Sequence, residues 1–184
     1  MRLLAISGSL RAVSTNTALL QAAQLLAPDG VEIELYDGLV RLPHFNPDLD
    51  IEPAPAEVRA WREKVRAADG LLISSPEYAR GIPGSFKNAF DWLVSHDGFP
   101  DKPVAFFHAS ERAIASQAAM RLVFETMSAR IVDAATVTVP LLGKQADARA
   151  IAADAEISAK IRAALETFVK AIKPSLKGEG EVVI

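Results

Sequence analysis

Residues 3–16 read Leu3-Leu4-Ala5-Ile6-Ser7-Gly8-Ser9-Leu10-Arg11-Ala12-Val13-Ser14-Thr15-Asn16, and this stretch decides the fold. Leu3 to Ser7 is too short and too uniformly apolar for a surface helix; it fits a strand buried on both faces. A polar turn follows and opens a helix over residues 15–27, with Leu19, Ala22, Ala23 and Leu26 at i, i+3, i+4 and i+7. Pro28-Asp29-Gly30 stops that helix, and residues 31–36 form the next strand.

The same alternation runs down the chain. A helix over 56–68 precedes a strand over 70–75, and after 76–84 a third helix carries Phe86, Ala89, Phe90, Leu93 and Val94 on one stripe. Then come a strand at 104–108, a helix at 112–129, a strand at 131–139 and an Ala-rich helix at 147–172. Residues 37–55, with Pro43, Pro47, Pro53 and Pro55, form a long loop of the kind that is functional or packs on a partner. The tail from Pro174 to Ile184 either frays or docks Val182-Val183-Ile184. No linker or repeat divides the chain, so residues 1–184 read as one domain. Five β–α units predict an α/β fold: a five-stranded parallel sheet between two helical layers, doubly wound in strand order 2-1-3-4-5.

The 184 residues are half apolar and 23% charged, enough to build a core and to exclude global disorder. A net charge of −3 argues against a nucleic-acid partner, which calls for a surplus of Lys and Arg. There is no cysteine, so disulfides, thiolate nucleophiles and iron–sulfur clusters are out. Apolar runs fall well short of the about 20 residues that cross a bilayer. Met1-Arg2 leads into an apolar run too short for a signal peptide, so a cytoplasmic location without membrane contact is expected.

In a doubly wound sheet, ligands sit beyond the carboxyl ends of the strands. Here the first, third and fourth strands all run into hydroxyls: Ser7 and Ser9, Ser74 and Ser75, Ser110. The loop of Ser9, Arg11, Ser14, Thr15 and Asn16 meets a helix N-terminus and holds no acid before Asp29, which suits a phosphate. It equally suits an ordinary βα turn capped by Ser14 or Thr15. The loop lacks both G-x-x-x-x-G-K-S/T and G-x-G-x-x-G, so it is neither a nucleoside-triphosphate nor a dinucleotide turn. After the third strand, Pro76-Glu77-Tyr78-Ala79-Arg80-Gly81 is either a binding loop, with Tyr78 flat against a planar ring, or a structural turn. His44, His96 and His108 have no metal-ligand spacing, and G-x-S-x-G is absent, so no metal site and no hydrolase triad are expected. His108, at a strand end, reads as a hydrogen-bonded core histidine or a ligand contact.

Two motifs carry a resemblance. Gly8-Ser-Leu-Arg-x-x-Ser-x-Asn16, and Pro76-Glu-Tyr78 followed by Pro83-Gly-x-x-Lys87-Asn88-Ala-x-Asp91-Trp92, resemble the NADPH-dependent FMN reductase family, kin of quinone, chromate and azo-dye reductases. The resemblance implies a flavodoxin-like fold holding FMN without a covalent link. It implies that Ser9, Arg11, Ser14, Thr15 and Asn16 cradle the FMN phosphate, and that Pro76, Glu77, Tyr78 and Ala79 line the ring and ribityl chain. Lys87, Asn88, Asp91 and Trp92 are implied as anchors of the third helix and a subunit contact. Two departures stand out: Ala79 and Gly81 replace the family's Asn and Ser, and His108-Ala109-Ser110-Glu111-Arg112-Ala113 lacks its Gly-Gly pair.

The implied activity is an NAD(P)H-dependent oxidoreductase. Hydride passes from NADPH or NADH through FMN to quinones or similar small acceptors, with no catalytic side chain. A homodimer is expected, with a tetramer as the alternative assembly. The competing functions are a flavodoxin-like electron carrier, against which the weak net charge argues, and a flavin-free binding module, which the two departures favour.

Overall fold

A computed structural model of the chain describes residues 1–141 and 147–177. Its centre is a parallel sheet of β1 (Arg2–Ser7), β2 (Glu32–Tyr36), β3 (Gly70–Ser74) and β4 (Pro103–His108). Two short strands, β5 (Arg130–Ile131) and β6 (Val137–Thr138), both pair with β4. The order is β2-β1-β3-β4-β5, the doubly wound order expected from the alternation. The helices are α1 (Thr15–Leu25), α2 (Ala56–Ala67), α3 (Gly84–Asp91), α4 (Ile114–Thr126), α5 (Ala148–Ala153) and α6 (Ala155–Lys177).

Strand residues alternate between two cores, as a period of two requires. Leu3, Ala5, Leu72, Ala105 and Phe107 face α1, α5 and α6 through Leu19, Ala23, Ile151, Leu165 and Phe168. Leu4, Ile6, Leu71, Ile73, Val104 and Phe106 face α2, α3 and α4 through Trp61, Phe90 and Phe124. With both faces covered, β1, β3 and β4 read as near-continuous apolar runs, which is why they were legible. In register, Ser7 lies opposite Ser74 and Ile73 opposite Phe106, so the three strands end level.

The structure corrects three expectations. The strand expected over 131–139 is broken after Ile131 by a 3-10 turn at Asp133–Ala135. There Ala135 and Thr136 spend their amides on Val132 and Asp133 carbonyls, and Thr136 Oγ1 accepts the β4 amide of Phe106 at 3.4 Å. The helix expected over 147–172 is two helices: Asp154 leaves helical geometry and its Oδ1 accepts the Ile157 amide at 3.0 Å, capping α6. That helix runs past the expected stop, to Lys177. The third helix ends at Asp91, so Leu93 and Val94 of the expected stripe lie beyond it, and Val94 is exposed. The expected docking of Val182-Val183-Ile184 lies outside the described residues.

The long loop is held to α3. Asn88 donates through Nδ2 to the Pro43 carbonyl at 2.9 Å and accepts the Phe45 amide at 2.7 Å. Trp92 Nε1 donates to the same carbonyl at 2.8 Å, and its ring stands edge-on to Phe45 at 5.0 Å. Arg62 then ties Asp50 (2.6 Å) to the Trp92 carbonyl, while Lys87 and Asp91 pair with each other along α3. The anchoring role expected of Asn88 and Trp92 is therefore visible.

Candidate functional site

Three loops leave the level ends of β1, β3 and β4. The first two touch closely: the Gly8 amide donates to the Ser74 carbonyl at 2.8 Å, and a Cβ on Gly8 would fall onto the Ser75 side chain. Ser9 donates its amide to Ser7 Oγ and accepts that of Arg11 on its own hydroxyl, both at 3.3 Å. Ser14 is the N-cap of α1, accepting the Thr17 amide at 3.4 Å. Asn16 is buried and accepts from Ser74 Oγ at 3.0 Å, so it links α1 to the end of β3. No acid stands in the first turn of α1, and the Arg11 guanidinium has no side-chain partner among the described residues.

In the second loop, Tyr78 and Gly81 exchange both backbone hydrogen bonds at 3.0 Å, closing a two-residue hairpin. Its central residues, Ala79 (φ 49°) and Arg80 (φ 62°), are both left-handed, the signature of a type I′ turn. Neither is glycine, so the turn stores strain. Tyr78 is 47% exposed on this hairpin. Glu77 turns the other way: its Oε2 accepts the Ser116 amide at 3.0 Å, while Ser116 Oγ donates to the Pro76 carbonyl at 3.1 Å.

The third loop is ordered without glycine. Ser110 Oγ accepts the Arg112 amide at 3.0 Å, and Gln117 Nε2 donates to the Ser110 carbonyl at 3.0 Å. His108 is buried and stacks on Phe106 at 5.8 Å. Burial, reinforced by the Arg121 charge, pushes its pKa down to about 4, so the imidazole is neutral at physiological pH.

Between these loops lies a cleft of about 330 Å³. It brings together four of the expected residues, Thr15, Asn16, Pro76 and Glu77. Ser9 and Arg11 instead line a neighbouring hollow of about 270 Å³, beside Tyr36 and Asp37 at the end of β2. Ser14, Tyr78 and Ala79 line neither: Ser14 is spent on the cap, and Tyr78 and Ala79 ride the hairpin. The cleft adds Ser75, Ser110, Arg112 and Gln117, and it gives His108 a place on the wall. Ser75 and Ser110 are among the strand-end hydroxyls that the sequence presents, and the position of Arg112 after β4 could have flagged it too. Gln117 lies a turn inside a helix, where nothing in the sequence marks it.

The donor set suits an FMN. Hydroxyls, free amides of an acid-free helix start and an unpaired guanidinium suit a phosphate, and the cleft with its neutral histidine suits an uncharged planar ring. Residues 1–142 match the family model described as NADPH-dependent FMN reductase. The chain belongs to that family. An NAD(P)H-dependent FMN reductase of Pseudomonas aeruginosa is 43% identical over 112 residues, 60% of each chain. The quinone reductase of Escherichia coli is 35% identical over 106 residues, 57% of this chain and 55% of its own. The matches thus span a little over half the length of these two relatives. Among solved structures, the flavoenzyme NAD(P)H:(acceptor) oxidoreductase FerB of Paracoccus denitrificans superposes with a TM-score of 0.77 at 28% identity. That superposition covers 94% of this family member and 97% of FerB. FMN as the bound group and NAD(P)H as the reductant are those of this family, and its flavodoxin-like architecture is the one seen here.

Proposed function

We propose that the chain is an NAD(P)H-dependent flavin oxidoreductase that delivers electrons through bound FMN to quinones or similar small acceptors. The observation that carries this reading is the cleft walled by the loops after β1, β3 and β4, in a chain of the FMN reductase family. Residues 1–184 act as one FMN-binding domain in this reading. Ser9, Arg11, Ser14, Thr15 and Asn16 hold the phosphate, and Pro76, Glu77, Tyr78 and Ala79 border the ring and ribityl chain. Bound FMN would supply the hydride and electron chemistry that links NADPH or NADH to the acceptor. The chain's own residues bind and orient. The Ser74 hydroxyl fixes Asn16, so the phosphate meets a set helix start. Buried His108, neutral, adds no charge to the wall it shares with Arg112.

Adding FMN to the apo-protein, followed by anaerobic NADPH, tests the reading. Saturable binding and bleaching of the flavin band, with reoxidation by a quinone, support it; no binding sinks it in favour of a flavin-free module. Bound flavin that NADPH alone does not bleach marks an electron carrier instead.

We also propose a cytoplasmic homodimer or tetramer. Among the described residues no helix is long and apolar enough to cross a membrane. Exposed Leu49, Ile51 and Val94, grouped by the Asp50–Ser95 hydrogen bond, offer an apolar face for a second copy. Sedimentation equilibrium decides: a monomer at micromolar concentration rules the assembly out.

A further inference from the structure

Two walls of the cleft are tied to successive residues of one helix. Ser116, fully buried in the first turn of α4, donates its amide to Glu77 Oε2 at 3.0 Å and its hydroxyl to the Pro76 carbonyl at 3.1 Å. Gln117, the next residue, donates its side chain to the Ser110 carbonyl at 3.0 Å. The residue before α4, Ala113, supplies no side-chain cap. Early amides of a helix have no partner within it, and here the carboxylate of Glu77 fills that vacancy from 39 residues away.

We propose that Ser116 and Gln117 are positioning residues of the flavin site, a clamp that fixes the spacing between the Pro76–Glu77 wall and the His108–Ser110 wall. The inference rests on the FMN reading above. Its second support is the strain next door. Immediately after Glu77 the chain enters a hairpin with Ala79 and Arg80 both left-handed. Such a turn persists only where its flanks are held. One flank, Pro76–Glu77, is held by Ser116 through two hydrogen bonds. Glu77 therefore contributes its Oε2 to the helix start, and its effect on the cofactor runs through wall position.

The test uses Ser116→Ala, which leaves the Pro76 carbonyl only the longer 3.3 Å bond from Ser75 Oγ, and Glu77→Ala, which removes the cap. Glu77→Gln keeps an acceptor oxygen and drops the charge. Tryptic cleavage after Arg80 in the apo chain reads the clamp directly. The FMN dissociation constant and the shape of the bound flavin band read its consequence, with thermal unfolding as a control for the fold. Ser116→Ala and Glu77→Ala should cleave several-fold faster at Arg80 and hold FMN about tenfold more weakly, the loss expected for one buried hydrogen bond. Glu77→Gln should restore most of what Glu77→Ala loses. Unchanged cleavage and FMN affinity in both alanine variants overturn the clamp, and so does a glutamine variant as impaired as the alanine. Should Ser116→Ala fail to fold, the two Glu77 variants decide alone. A wild-type chain that takes no FMN refutes the cofactor reading, and cleavage at Arg80 then decides the clamp by itself.

Discussion

Gly8→Ala is the sharpest probe of how the first two loops meet. The added methyl would land on Ser75 Oγ, 2.8 Å from Ser75 Cβ and 3.3 Å from the Phe86 ring. Rotating Ser75 moves its hydroxyl away but not its Cβ, which is set by the backbone directly after β3. Phe86 is fully buried against Phe90, so it cannot yield either. The loops must part by several tenths of an ångström, stretching the 2.8 Å bond between the Gly8 amide and the Ser74 carbonyl. Overpacking of this kind costs about 1–3 kcal/mol. For a chain of this size, 2 kcal/mol lowers Tm by about 4–8 °C. Thermal unfolding by circular dichroism gives the measurement, and Ser75 gives the internal control. Adding Ser75→Ala removes the hydroxyl contact and leaves the Cβ contact, so it should recover only part of the loss; Ser75→Gly removes both contacts. Should Gly8→Ala unfold at the wild-type temperature, or should Ser75→Ala restore it fully, the argument for a fixed close approach is refuted.

Three further outcomes are expected. Arg11→Ala should weaken FMN binding by about 1.5–3 kcal/mol, the usual loss of a charge-assisted hydrogen bond, and an unchanged titration would place the phosphate elsewhere. Ala79→Gly should raise stability by about 0.5–1 kcal/mol, because glycine takes the left-handed conformation without the Cβ clash; a fall in Tm would show the hairpin to be unstrained. His108 has its folded pKa depressed to about 4 from 6.5, so the unfolded chain binds the proton first. Its contribution is complete above pH 6.5 and drains away as pH falls towards 4, about 3 kcal/mol in all. Urea midpoints across that window should decline less steeply for His108→Asn than for wild type.

The fold was legible because its central strands are buried on both sides and leave short apolar runs that few other elements produce. The fifth strand and last helix misled for opposite reasons. Ile131 to Val139 has strand-like residues, but Ala135 is drawn into the core by a turn that no residue in the stretch announces. Asp154, in an Ala-rich helical run, looks like one more exposed polar residue, and only its bond to Ile157 reveals a cap. In the site, strand-end logic found the three loops, but it could not say which way a side chain turns. Glu77, expected at the ring, lines the cleft with one oxygen on Ser116; Ser9 and Arg11, expected beside Asn16, line the hollow on the β2 side. Those choices depend on contacts made across dozens of residues, which local spacing does not encode.

The broken fifth strand also bears on how copies of this chain can meet. A sheet is extended most readily along an edge that presents a long, flat row of unpaired amides and carbonyls. On one side the outer strand is β2, along which Glu32 and Glu34 are exposed, Glu34 paired with Lys64 of α2. On the other, β5 and β6 offer two residues each, interrupted by the turn at Asp133–Ala135. An incoming strand would have to desolvate charged side chains on the first edge and would find only short, interrupted ladders on the second. Among the described residues, strand addition, the usual route to runaway aggregation, is thus disfavoured at both margins, which leaves helices and loops as the surfaces on which copies can meet.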